Sequence, residues 1–377
     1  MEPAVAAVRT CLSPAIREAR FDDYDGIAAL QARNGLDSRP YDEWLNLWAA
    51  NPAYAARPPA PIGWVLEGSD GTIGGYLGNL PLDYQLGGRT IHAATHYSWV
   101  VEPAYRAHSL TLMTRFLRQT GADLFISTTP NTAAGSVLRA LRFRQSPSGR
   151  WDQAGFWVTG HYGFAQSVLR SAPRRIPSVL AYPLAAALYL VDILRRHPGA
   201  GQADGLDFEV CGEFDARFDE FWNQLCVENE NRLLAVRSQA ALQWHFAPAL
   251  KRSQARILAA HRHHRMVAYA VVDRRDNAAL GLNRYRIADF QSLRGYEGWL
   301  STALGWVLLE CRRQGIHIAE NAGCWLERYQ VPGAAPWYQR RLQSWLFYYQ
   351  ARAPHLDAQL LNPQVWMPSL YDGDSSL

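Results

Sequence analysis

Alternating apolar and polar residues give way to helical spacing at one sharp point of this chain. Residues 97–103, Tyr-Ser-Trp-Val-Val-Glu-Pro, read as the end of a strand that stops at Pro103. A short turn carries Arg106 and His108, and a helix follows from about Leu110 to Thr120. Leu110, Leu112, Met113, Phe116 and Leu117 make its apolar face. Ser109 stands where an N-cap belongs, because its hydroxyl can accept an N–H of the first turn. A strand, turn and helix joined this closely aim backbone N–H groups and a positive helix end at one spot, which suits a phosphate or diphosphate. Arg106 adds a guanidinium beside it. The same pattern also fits an ordinary strand–helix connection, so the neighbouring elements decide its meaning.

Those neighbours have a definite order. Residues 62–67 and 72–77 form a hairpin through Gly68-Ser-Asp-Gly71, and a strand runs from Arg89 to Val101 after the Gly87-Gly88 turn. Beyond the junction, residues 124–128 are a short apolar strand. Pro130-Asn131 is a turn, Ala133 to Leu141 a helix, and a last strand follows Phe143. The chain thus places helices first, then three antiparallel strands, the phosphate-type turn with its helix, a parallel strand, a helix and a closing strand.

Residues 101–111, Val-Glu-Pro-Ala-Tyr-Arg-Ala-His-Ser-Leu-Thr, and then Asn131-Thr-Ala-Ala134 leading to Leu141-Arg-Phe143, resemble the GNAT (GCN5-related N-acetyltransferase) superfamily over roughly Ile16 to Trp157. The resemblance implies an acyl-CoA substrate bound by Trp99, Val100, Val101, Arg106, Ala107, His108, Ser109, Leu110, Thr111 and Asn131, with its diphosphate wrapped by the loop that follows the strand. Arg106 occupies the position that opens the diphosphate loop. Ser109 and Thr111 stand where the family usually has small residues, chiefly glycine. Their side chains narrow the approach to the backbone, and their hydroxyls can donate in its place.

The resemblance also implies direct attack of an amine on the thioester, with the carbonyl polarised by backbone N–H around Trp99 to Val101, facing Leu124 to Thr128. His96, five residues before Val101, lies where some members carry a catalytic Glu. An imidazole is a suitable base, although a histidine held by cross-strand hydrogen bonds reads the same way. His92 lies on the same face and could act through water. The thiolate acid of many members falls at Leu138, which has no hydroxyl. Tyr97 or Ser136 then substitutes, or CoA leaves as the thiolate, whose pKa near 8.5 makes it a tolerable leaving group.

The C-terminal half repeats the element order. It reads as a strand at 208–210, helices at 214–227 and 239–246, and a hairpin of 255–259 with 266–272. A strand at 285–290, a long helix at 298–313, a strand at 316–319 and a closing strand at 344–349 complete it. Residues 291–298, Gln-Ser-Leu-Arg-Gly-Tyr-Glu-Gly, stand in place of a diphosphate loop without matching it, so no second cofactor is assigned there. The expected class is therefore α+β: two GNAT-like units, each a mixed, mostly antiparallel sheet flanked by helices, the second divergent. The expected domains are 1–170, an apolar helix and linker at 171–206, and 207–377.

Residues 176–194 are almost entirely apolar and are bracketed by Arg174-Arg175 and Arg195-Arg196. Pro177, Pro183 and Asp192 argue against a membrane span. A buried or interfacial helix between domains is expected, with peripheral membrane contact as the second reading. Residues 197–205 read as a linker.

Composition changes this picture little. The 377 residues suffice for two cores, net charge is +4, and Lys251 is the single lysine among 38 basic residues. The arginines collect in no tract, so no nucleic-acid partner is expected. The 5 cysteines are scattered and odd in number, which argues for a reducing compartment and against zinc. No signal peptide is apparent, so the expected location is cytoplasmic, with membrane association as the alternative. The run His261-Arg-His-His-Arg265 reads as a solvated turn, and no metal is expected.

The reading is an acyl-CoA-dependent N-acyltransferase, using acetyl-CoA or a longer acyl-CoA and acting on an amine of a small molecule or sugar. Two alternatives stand beside it: an aminoacyl or long-acyl transferase with a lipid-linked acceptor, and a catalytically inactive binding protein of the same fold. The tail from Pro363 either folds back over a cleft or frays around Trp366.

Overall fold

The computed structural model describes residues 14–57, 60–174, 176–194, 205–323 and 334–377. These form two compact units. The first comprises residues up to Pro81 together with Ala94–Ala122; the second comprises Leu82–Ala93 and Asp123–Leu377.

In the first unit, β1 (Ala15–Glu18) pairs antiparallel with β2 (Gly63–Glu67), and β2 with β3 (Ile73–Leu86). Next to β3 runs β4 (Arg89–Val101), joined to it by Gly87 and Gly88 at φ +60° and +69°. Two left-handed residues in a two-residue turn explain the glycine pair. The tip of this hairpin, Leu82–Ala93, belongs to the second unit, where it pairs with the two-residue strand β9 (Leu234–Ala235). Helices α1 (Tyr24–Arg33), α2 (Tyr41–Ala49) and the single turn α3 (Pro52–Ala55) bring Ile27, Leu30, Trp44 and Trp48 into the core. The indole of Trp48 donates to the Asn79 carbonyl at 2.7 Å, which satisfies its one polar atom. α4 (Ser109–Arg118) packs on β2, with Phe116 edge-on to Trp64.

The second unit holds a seven-stranded sheet. Its strands are β7 (Gln153–Val158), β8 (Asp207–Cys211), β10 (Ala255–Arg262), β11 (Arg265–Arg274), β12 (Arg284–Ser292), β13 (Ile318–Ala322) and β14 (Tyr338–Arg341). Their spatial order is β14-β7-β13-β12-β11-β10-β8. Helices α8 (Ala216–Glu228) and α9 (Gln239–Lys251) precede the β10–β11 hairpin, and α10 (Trp299–Arg313) follows β12. The doubled element order expected from the sequence is therefore present. β12 and β13 are parallel, yet they pair only over Arg284–Arg286 with Ile318–Glu320 before they part.

Two strands lie elsewhere than the sequence suggests. β7 closes no sheet in its own half; it lies between β13 and β14. The 344–349 segment does not close the second sheet. It becomes β15 (Tyr348–Ala351), held between β5 (Leu124–Ser127) and β6 (Arg144–Gln145). Short apolar strands carry no mark of which edge they join, and only the space left open decides.

A third difference concerns residues 176–194. α7 (Ala181–Leu194) packs along α6 (His161–Ser171), but of its 14 residues only Ala181 and Asp192 are buried. The expected buried helix is an exposed one. Among the described residues no helix is long and apolar enough to cross a membrane. The linker at 197–205 lies almost wholly outside the described residues. The C-terminal tail does not fray, since Trp366, Met367, Leu370 and Tyr371 are all buried in the second unit.

Candidate active site

β4 is bent by one residue. Ser98 takes φ +52°, a left-handed conformation unusual for a residue with a side chain. Its hydroxyl oxygen accepts from Gln31 Nε2 at 2.6 Å, which anchors the distortion to α1. The strand's alternation slips there. His96 and Trp99, three residues apart, meet edge to face at 6.0 Å, where an undistorted strand would point them to opposite faces.

Beyond the bend, Val100 is buried and Val101 half-buried. Glu102 then turns the chain, its N–H donating to the Gly74 carbonyl at 2.9 Å and its carboxylate accepting from Arg33 at 2.6 Å. The ring of Tyr105 lies against Gly74, where a Cβ would overlap it. Gly74 is thus required by this close approach, and the turn is fixed at both ends.

The turn itself, Pro103–His108, is a 3-10 segment that runs into α4. This corrects two expectations. Ser109 is the first helical residue and caps nothing; His108 holds the cap position without a side-chain bond. The loop amides are also less free than supposed, since Tyr105 N–H donates to the Glu102 carbonyl and Ser109 N–H to that of Arg106. The groups turned to solvent are side chains. Arg106, Ala107, Leu110 and Thr111 are exposed, and His108 and Ser109 half-exposed. Neither Ser109 nor Thr111 fills the corner. Leu110, placed on the apolar face by spacing, stands in solvent. The indole N–H of Trp99 is buried without a hydrogen-bond partner among the described residues, a donor left open beside the bend.

His96 and Tyr97 point opposite ways. The imidazole is buried between Trp99 and the α4 residue Phe116, and burial pushes its pKa down to about 4. It is neutral at pH 7 and a weak base there. The Tyr97 hydroxyl oxygen accepts from Arg39 Nε at 2.9 Å, and the guanidinium stands 5.7 Å from the ring centre. His92 is bound to the Asp83 carboxylate at 2.9 Å.

Asn131 belongs to the second unit, where its side chain caps α5 (Thr132–Ala140) by accepting from Ala134 N–H at 2.9 Å. Its carboxamide oxygen is therefore occupied. Leu138, at the position of the missing acid, is fully buried, and Ser136 Oγ donates to the Thr132 carbonyl.

The corresponding corner of the second sheet is filled from within. Arg294 N–H donates to Glu228 at 2.7 Å and Gly295 N–H to Glu297 at 3.0 Å. Two carboxylates sit where a diphosphate would have to come, beside a crevice of about 590 Å³ lined by Glu228, Glu230, Glu297, Arg232, Arg294 and Ser292. Like charge disfavours a phosphate at this place.

Sequence reasoning missed a buried polar cluster of this unit. Arg237 is fully buried and forks onto Asp289, with bonds of 2.8 and 3.1 Å. Tyr269 and Ser369 donate to the same carboxylate at 2.6 and 2.7 Å. Burial would raise the Asp289 pKa, but the guanidinium outweighs it and holds the group below the carboxylate range. The signal was an acid inside the apolar run 285–290. In the His261–Arg265 run, His263 and His264 form the tight turn and His261 is buried. Among the described residues no group of side chains could hold a metal ion.

No protein-family model matches the sequence, and neither does any curated protein. Solved structures do match. A GCN5-related N-acetyltransferase from Anabaena variabilis aligns over 89% of this chain and 72% of its own, with TM-score 0.53 and 11% identity. A probable N-acyltransferase from Enterococcus faecalis aligns over 90% and 72%, with TM-score 0.55 and 10% identity. N-Myristoyltransferase from Saccharomyces cerevisiae, solved with myristoyl-CoA, aligns over 93% and 81%, with TM-score 0.53 and 10% identity. At such identities the likeness is one of fold. The chain has the α+β fold of the GCN5-related N-acetyltransferases.

Proposed function

We propose that the protein is an acyl-CoA-dependent N-acyltransferase that acylates an amine of a small molecule or sugar by direct attack in a ternary complex. The observation that carries this reading is the corner after β4. There a strand bent at Ser98 ends in a fixed turn that leaves the Arg106 guanidinium in solvent at the head of α4. A guanidinium with the Ser109 and Thr111 hydroxyls beside it suits a diphosphate. Because the turn amides are used internally, side chains carry more of that binding than in a glycine loop.

In the reaction the deprotonated amine attacks the thioester carbonyl. The C–N bond forms, the C–S bond breaks, and the amine's second proton goes to solvent or a base. In this reading the Tyr97 hydroxyl, whose oxygen accepts from Arg39, protonates the leaving thiolate. His96 serves better as packing, since an imidazole with a pKa of about 4 takes little of an ammonium's proton. The supporting fold neighbours include a structure holding myristoyl-CoA. Calorimetric titration of acetyl-CoA into wild type and Arg106→Ala is the test. Saturable binding that the variant weakens supports the proposal; no heat with acetyl-CoA or a longer acyl-CoA defeats it.

A second reading, a long-acyl donor and a lipid-linked acceptor, is favoured by the exposed apolar helix α7. A preference for a long-chain over a two-carbon acyl-CoA in the same titration would select it.

A further inference from the structure

α7 is apolar on the side where soluble helices are polar. Its inner stripe, Ala181, Ala185, Leu188 and Asp192, follows helical spacing. Asp192, the one charged residue of the helix, is turned inward, where it accepts from Tyr338 OH at 2.7 Å and meets His161 Nε2 at 2.7 Å. The outer face is left without charge. Tyr182, Tyr189, Leu190, Ile193 and Leu194 stand in solvent, Leu194 at 80% exposure, and Val179 and Leu180 extend the patch. A monomer seldom exposes so continuous an apolar surface without using it.

We propose that this face docks the protein on an anionic phospholipid surface, with α7 lying in the plane of the headgroups. Two features select a bilayer over a protein partner. Arginine pairs bracket it in the sequence, 174-175 before and 195-196 after, matching anionic headgroups rather than an apolar partner. Tyr182, whose ring lies 4.8 Å from that of Tyr162, and Tyr189 are exposed aromatics of the kind that settle at a lipid–water boundary. At 14 residues the helix lies on a membrane and does not span it. This inference does not depend on acyl-CoA binding at Arg106.

The test is sedimentation of the full chain with vesicles of phosphatidylcholine alone and of phosphatidylcholine with phosphatidylglycerol. The protein is expected to pellet with the mixed vesicles, less so as salt rises. The double substitution Leu190→Glu and Leu194→Glu should weaken that binding by roughly tenfold or more. Both side chains are exposed, so the variant should melt like wild type. Arg174→Glu, which keeps the apolar face, should weaken binding to the mixed vesicles alone. Wild type left in the supernatant with both vesicle types overturns the proposal, as does a double variant that pellets equally well. A lipid-free dimer that the double variant dissociates would also overturn it, since a second copy would then cover the face.

Discussion

The imidazole of His96 stands edge-on to the ring of Phe116, with centroids 6.0 Å apart and planes at 85°. That contact, closed by Trp99 on the other side, keeps water from the imidazole and makes its charged form costly. The unfolded chain therefore binds a proton at this residue more readily than the folded one. His96 contributes stability that is complete above pH 6.5 and is lost as pH falls toward about 4. A displacement of that size corresponds to about 3 kcal/mol at the acid end. Urea unfolding of wild type at pH 7 and pH 5 should show the loss, and His96→Leu should remove most of the difference. Parallel losses in both proteins would mean that the imidazole takes up a proton as readily in the folded chain as in the unfolded one.

The same burial bears on turnover. An activity limb near pH 6.5 is not expected from His96, because its ionisation is displaced downward. The pH–rate profile of His96→Gln should keep the wild-type shape. A limb that vanishes in the variant would restore the residue to the role of base.

Arg106 is a different case, since it is exposed and holds nothing up. Arg106→Ala should leave the melting temperature unchanged and weaken acetyl-CoA binding roughly tenfold to a hundredfold, the range of a lost charge-assisted hydrogen bond. Arg106→Lys should recover part of the loss but not the two-pronged contact. Unchanged affinity in Arg106→Ala would move the diphosphate away from this corner.

Much of the corner was legible in the sequence, and the reason is local. Alternation through Val101, a proline stop and the spacing of Leu112, Met113 and Phe116 each arise within a few residues and agree with one another. Ser109 misled because a hydroxyl before an apolar helical run signals a cap only if the preceding turn is open; here Pro103–His108 is already wound. The placement of β7 and β15 was not legible, because pairing across some 165 and 225 residues is decided by edges that form only in the folded sheet. Arg237 was invisible for the same reason: its partners Asp289 and Ser369 lie 52 and 132 residues away.

Ser98 tests whether the bend of β4 is built in or incidental. A left-handed residue with a β-branched side chain meets its own backbone, and the bond from Gln31 is lost as well. Ser98→Val should therefore cost about 2 kcal/mol or more in urea unfolding, and it should also reduce acetyl-CoA binding by disturbing Trp99. Ser98→Gly accepts the backbone angle and should cost less. Equal stability for the two variants would show that the strand can straighten without consequence.

The buried pair of Arg237 and Asp289 ties three separated stretches of the second unit together. Arg237 also donates to the Ala235 carbonyl at 2.8 Å and the Ser369 hydroxyl at 3.2 Å, and it lies 4.9 Å from the ring centre of Tyr371. Removing the guanidinium leaves the Asp289 carboxylate in a dry interior with only hydroxyl and amide donors. Arg237→Met should thus cost about 3–5 kcal/mol. The double variant Arg237→Met with Asp289→Leu, which removes the forked pair and leaves the buried Asp372 carboxyl group 3.5 Å from the lost guanidinium, should recover part of that loss. Because Ser369 and Tyr371 belong to the C-terminal stretch, the single variant should also expose that stretch to a protease before the unit as a whole unfolds, which limited digestion followed by mass spectrometry reads directly. A single variant as stable as wild type, with its tail protected, would mean that apolar packing of Trp366, Met367 and Leu370 alone holds the tail in place.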